Sequence, residues 1–160
     1  MTEGARHPEA QAFLAIVDDT PECAKALRYV ACRARRLDAE VILLRVVPSA
    51  PFLQWGRAQR AIAEEALAEA QLVLDEAARR VATILGRRPR TELREGRAAE
   101  AILAFLQAEP AVRMLVLAAA PQGRPGPLVA HFAGPAAGSL PCLVTIVPGG
   151  MADSELDRLA

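Results

Sequence analysis

The sequence predicts an α/β domain, an open parallel sheet of five strands with helices on both faces. Three observations carry that expectation. Short apolar runs alternate with longer stretches of helical periodicity in the order β-α-β-α-β-α-β-α-β, the pattern of a parallel sheet covered by helices. The apolar runs at 12–18 (AFLAIVD), 40–47 (EVILLRVV) and 112–119 (VRMLVLAA) lack strict alternation, as expected of strands buried on both faces. The chain has 160 residues, 52% hydrophobic and 24% charged, which suits one domain with its own core.

Taken in order, residues 1–11 are polar and are expected to form a flexible start. The strand at 12–18 leads into a helix for which Thr20 is the expected cap and Pro21 the first residue. In that helix Ala24, Leu27, Ala31 and Ala34 recur at helical spacing, and Arg33, Arg35 and Arg36 suit its negative end. Pro48 stops the second strand, and a proline-containing connection at 48–56 holds the only tryptophan, Trp55. A long helix over 57–85 carries an expected inner stripe of Ile62, Ala66, Ala70, Leu74, Ala77, Val81 and Ile84, with Gly86 as its stop signal. Residues 90–94 (RTELR) alternate and predict a third strand near a sheet edge. A third helix over 98–107 turns Ile102, Phe105 and Leu106 inward, and the fourth strand follows it. The loop 120–126 (APQGRPG) precedes a short, irregular helical stretch at 127–138, broken by Pro135. The fifth strand is 142–147 (CLVTIV), and 149–160 is a tail with one or two helical turns.

Composition excludes several classes. Lys plus Arg equals Asp plus Glu, 19 each, so there is no general attraction to nucleic acid or to an acidic membrane. No apolar run reaches the roughly 18 residues of a membrane span, and the start lacks the apolar core of a secretory signal. A cytoplasmic setting is the resulting expectation. Cys23, Cys32 and Cys142 form no CxxC pair, which argues against a disulfide framework or zinc. There is no G-x-S-x-G, Walker or G-x-G-x-x-G motif. His131 has no partner at ligand spacing, His7 lies in the flexible start, and no nucleophile–base arrangement is visible, so catalysis is not expected.

Ligands in such sheets bind beyond the C-terminal strand ends, where the strand order reverses. The loops after the first and fourth strands are therefore the candidates, and they carry a resemblance. The strand ending in Asp18, followed by Asp19 and Thr20, resembles the opening of the universal stress protein family, a strand then Val-Asp-Gly-Ser. Ala26-Leu27 in the first helix, EVILLRVV where the family has a strand ending in a Leu-His-Val type triplet, Gly96, MLVLAA, a Gly-rich loop and CLVTIV keep the family's order over about residues 12–148. The loop GRPGPLV and the ending VTIVPG are similar to a subgroup whose ATP-binding loop is degenerate.

The resemblance implies a strand order of 3-2-1-4-5, homodimers paired through the last strand (here the run beginning at Cys142 and ending at Val147), and a stress-response role. It also implies ATP or AMP as the ligand class, held by the aspartate after the first strand and a Gly-two-Gly-nine-Gly-Ser/Thr loop after the fourth. Asp18 matches that aspartate. Gly123 and Gly126 match the first spacing, with Arg124 between them, but nine residues later stand Ala136 and Ala137, and Gly138-Ser139 comes too late.

Each position also has a plain structural reading. A carboxylate at Asp18 can accept N–H bonds from the first helical turn, a capping role that suits Asp19 or Thr20 better, Gly123 to Gly126 can form a tight proline-shaped turn, and Ser139 can belong to a helix-ending turn. Prolines 125 and 127 supply no N–H to a phosphate. Two expectations result: a non-catalytic stress-response homodimer with a reduced nucleotide cleft, and, as the alternative, an ATP or AMP sensor using Asp18, Gly123, Arg124, Gly126 and Ser139.

Overall fold

Strands that are apolar on both sides need cover on both sides, and the chain supplies it by splitting its helices between two faces. The computed structural model describes residues 10–49 and 56–160. The expectations for His7, for Trp55 and for most of the flexible start lie outside the described residues.

Five strands, β1 (Ala12–Ile16), β2 (Glu40–Val47), β3 (Arg90–Glu95), β4 (Val112–Ala119) and β5 (Leu143–Pro148), form one sheet in the order β3-β2-β1-β4-β5. Every pair in it is parallel. Side chains alternate across the sheet. Phe13, Ala15, Val41, Leu43, Met114 and Val116 face α1 (Cys23–Leu37) and α2 (Arg57–Leu85). Leu14, Ile16, Ile42, Leu44, Leu115 and Leu117 face α3 (Ala98–Ala108) and the six-residue α4 (Pro127–Phe132). Placing α1 and α2 on one face and α3 and α4 on the other is what uniform crossover handedness requires when the chain runs outward from β1 to β3 and then returns to β4. The fully buried Phe132 and Ile102 close the second face. Side chains of that size contribute about 1.5–3 kcal/mol each by leaving water.

Two local expectations change. α1 begins at Cys23 rather than at Pro21, and Thr20 does not cap it, because Thr20 is taken up in a turn with Asp18. Only the later part of the predicted α2 stripe is internal: Ala70, Leu74, Ala77 and Val81 are buried, Ile84 is half-buried, and Ala66 and Ile62 are exposed, Ile62 by 64%. Length explains this. A helix of 29 residues spans about 43 Å at 1.5 Å per residue, whereas the eight residues of β2 span about 26 Å. The first turns of α2 therefore run past the end of the sheet.

The tail does fold back. α5 (Asp153–Leu159) lies on α1, with Leu156 buried and Lys25–Asp153 and Arg28–Asp157 ion pairs at 2.7 Å. Arg36 donates to the backbone carbonyls of Asp157 and Ala160.

Candidate functional site

The turns after β1 and β4 share the C-terminal end of the sheet because the two strands are adjacent and parallel. This is also the point where strand order reverses. The first turn is organised by Asp18, whose Oδ1 accepts the Thr20 N–H at 2.9 Å and the Thr20 hydroxyl at 2.5 Å. An Asx turn of this kind is a local substitute for a backbone turn. Among the described residues, Oδ2 of Asp18 accepts nothing.

The second turn closes on itself, the Ala120 N–H bonding the Pro125 carbonyl at 3.2 Å. Gly126 has φ 109 and ψ 155, a region essentially reserved for glycine, and it delivers the chain to Pro127 at the start of α4. Pro121, Pro125 and Pro127 have no N–H to offer. The N–H groups of Gln122, Gly123, Arg124 and Gly126 remain without backbone acceptors among the described residues, and the Arg124 side chain is exposed and unpaired there. α4 has only six residues, so little aligned dipole stands behind this loop.

Among the described residues, the turn after β5 lies between the two turns. The Gly149 N–H donates to Ala119 O at 2.8 Å. A Cβ at Gly149 would lie 2.6 Å from that oxygen, 2.8 Å from Glu22 Cβ and 3.2 Å from Pro121 Cδ. Backbone thus fills the gap, and only glycine fits there. The cleft that Asp18 does line, about 460 Å³, lies between the start of α1 and the middle of α2 and contains no residue of the 120–126 loop. Ser139 stands apart from the other predicted residues. It ends a single 3₁₀ turn, Ala137–Ser139, leading into β5, and its hydroxyl donates to Ala136 O at 3.1 Å.

Cys23 lies beneath the first turn, its thiol donating to Ile16 O at 3.6 Å. Burial pushes the thiol pKa up to about 11, so it is a neutral thiol at pH 7 and not a nucleophile. Cys32 and Cys142 are likewise shifted upward by burial.

One pair escaped the sequence reading. Arg45 projects from β2 onto the α1/α2 face and grips Asp19, with Nη2 at 3.0 and 2.9 Å from the two carboxylate oxygens and Nη1 at 3.3 Å from Val17 O. The Arg45 side chain is only 12% exposed, and its Nε is buried without a partner. The signal was present in EVILLRVV: a charge in the interior of a strand buried on both faces needs a counter-charge. The nearest carboxylate at the same sheet end is in the turn after β1. Beside this pair opens a cleft of about 580 Å³ under the first turns of α2.

Residues 10–148 match the model of the universal stress protein family. Among solved structures, the chain is similar to universal stress protein UspA from Lactobacillus plantarum, with 20% identity, a TM-score of 0.67, and coverage of 87% of this chain and 98% of that one. It is similar to a protein of the universal stress protein family from Burkholderia pseudomallei, with 19% identity, a TM-score of 0.63, and coverage of 88% and 98%. It is also similar to the universal stress protein from Archaeoglobus fulgidus in complex with dAMP, with 16% identity, a TM-score of 0.61, and coverage of 87% and 98%. A comparison with curated protein sequences gives no match.

Proposed function

The chain belongs to the universal stress protein family, and from that premise we propose that it is a non-catalytic stress-response module that works as a cytoplasmic homodimer with a reduced nucleotide cleft. The observation that carries this reading is the contrast between the two edges of the sheet. At the β3 edge, Arg90 bonds Glu92 and Glu109, Arg94 bonds Glu92, and both guanidiniums lie over Phe105. Charges of this kind blunt an edge against pairing. At the β5 edge, Leu143 is 74% exposed and Ile146 39%, and no charged residue occurs in the strand. An apolar, unpaired edge favours a second copy of itself.

The reduced cleft rests on the short α4, the prolines of the loop and the Gly149 backbone between the two turns. One specific observation favours the alternative, an ATP or AMP sensor. The free Oδ2 of Asp18 and the free N–H groups near Gly123, Arg124 and Gly126 are at the same sheet end, and the A. fulgidus relative is in complex with dAMP. A cytoplasmic setting agrees with the finding that no described helix is long and apolar enough to cross a membrane.

The test is strand blocking. In a strand, backbone N–H groups alternate in direction. The Gly149 N–H points to β4, so those of Val147 and Thr145 do too, and those of Ile146 and Val144 point outward. Pro148 already occupies an outward position, where a missing N–H is tolerated. Ile146→Pro therefore removes an outward donor and leaves the β4–β5 ladder intact. Light scattering is expected to give twice the 17.1 kDa chain mass for the wild type and the single mass for Ile146→Pro. A monomeric wild type, or an unaltered dimer in the variant, refutes pairing through β5.

A further inference from the structure

The cleft beneath the overhanging start of α2 has no part in the reading above. Its roof is apolar: Ile62, Ala63, Ala66, Leu67, Ala70 and Val73. Its floor is made by Val47 and Pro48 at the end of β2. Its volume, about 580 Å³, lies within the range of about 300–1,000 Å³ usual for small-molecule sites. The residues of β2 and β3 that reach it, Arg45, Val47 and Glu95, all project to the α1/α2 side, and Glu95 is the register partner of Val47. The other ligand-facing candidates, Gly123 and Arg124, belong to the loop that leads to α4 on the opposite face.

The charges at the rim decide what this cleft accepts. Among the described residues Arg45 is the one cation that lines it, and Asp19 and the Val17 carbonyl occupy its Nη groups. An anion would have to displace Asp19. Glu69 and Glu95 also line the cleft, and neither has an ion-pair partner among the described residues. The lining therefore combines an aliphatic roof with two uncompensated carboxylates.

We propose that this cleft binds small amphiphilic organic cations, an ammonium group on an aliphatic body, with the chain against Ile62, Ala66 and Leu67 and the ammonium between Glu69 and Glu95. Carboxylates at such a rim lower the affinity of an anion of the same shape and raise that of a cation.

The experiment is calorimetric titration of the full chain with three probes of one length: octylammonium, octanol and octanoate. Octylammonium is expected to bind at least tenfold more tightly than octanoate, with octanol between them. The double variant Glu69→Gln, Glu95→Gln is expected to weaken octylammonium at least fivefold and to leave octanol unchanged. Both residues are exposed, so the fold is retained. Ala66→Trp, at an exposed helix position, fills the roof and is expected to abolish all binding. Absence of binding by every probe, octanoate matching octylammonium, an unchanged preference in the double variant, or full affinity in folded Ala66→Trp each overturns the proposal.

Discussion

Replacing Leu156 by alanine tests whether the last ten residues are part of the domain. Leu156 is 2% exposed and packs into the cluster beneath α1 and α2. Buried Leu→Ala changes cost about 2–5 kcal/mol, the spread reflecting how far the surroundings collapse into the space left. α5 is a single short helix held from one side, mainly by α1, so it can settle inward, and the low end of the range applies, about 2–3 kcal/mol. For a chain of this size each kcal/mol moves Tm by about 2–4 °C, so a fall of about 5–10 °C is expected. Leu159→Ala is the control: it lies on the same helix but is 54% exposed, and its change should stay within about 0.5 kcal/mol. Circular dichroism melts of the two variants give the comparison. A Leu156→Ala melt that coincides with the Leu159→Ala melt would mean that α5 is not docked, and the packing argument fails with it.

Two further outcomes follow from the same contacts and from the site. A hydrogen bond from Lys25 holds the Asp153 carboxyl below its ordinary value of 3.8, and one from Arg28 does the same for Asp157. A depressed carboxylate pKa stabilises the docked state fully above the unfolded value and loses that contribution as pH falls through the folded value. Amide protection of α5 should therefore be constant above about pH 4 and fall below it ahead of the sheet, with Asp153→Asn, Asp157→Asn removing the dependence; equal loss in both proteins rules the ion pairs out. Melting with millimolar ATP, ADP or AMP should leave Tm unchanged. A nucleotide at one hundred times its Kd would add about 2.7 kcal/mol, and such a shift, abolished by Asp18→Ala, would replace the reduced-cleft reading with the sensor.

The elements were legible because each rests on local pattern. EVILLRVV and VRMLVLAA read as buried strands from their own residues, and the alternating RTELR placed β3 at an edge. What was not legible depends on distance along the chain. Periodicity identifies which face of α2 is apolar, but not how far the sheet extends beneath it, so Ile62 and Ala66 were assigned to the core. The docking of α5 rests on Lys25 meeting Asp153 across 128 residues, which no spacing rule reveals. Asp18 stands at the C-terminal end of the sheet, where strand order reverses, but the entry of Gly149 beside Pro121 is a tertiary fact that no local pattern reveals. Arg45 was the one long-range clue present in the sequence, since a charge on a buried strand face implies a partner.

The short α4 links the two halves of the proposed function. Near β5 the α3/α4 face is covered by the six-residue α4 and by Ala136 and Leu140 of the segment after it. On that face Val144 is half-buried and Ile146 is exposed, whereas Val147, facing α1, is 2% exposed. A helix of two or three more turns would run down the sheet past the level of Val144 and would also align more peptide dipoles behind Gly126. Its shortness therefore bears on both halves of the proposal. It leaves little aligned dipole behind the 120–126 loop, and it leaves Val144 only half-buried along the edge strand. On this reading, weak nucleotide binding and strong self-association are not separate traits. Lengthening α4 by insertion after Phe132 should strengthen the first and weaken the second together, and a change in one without the other would break the link.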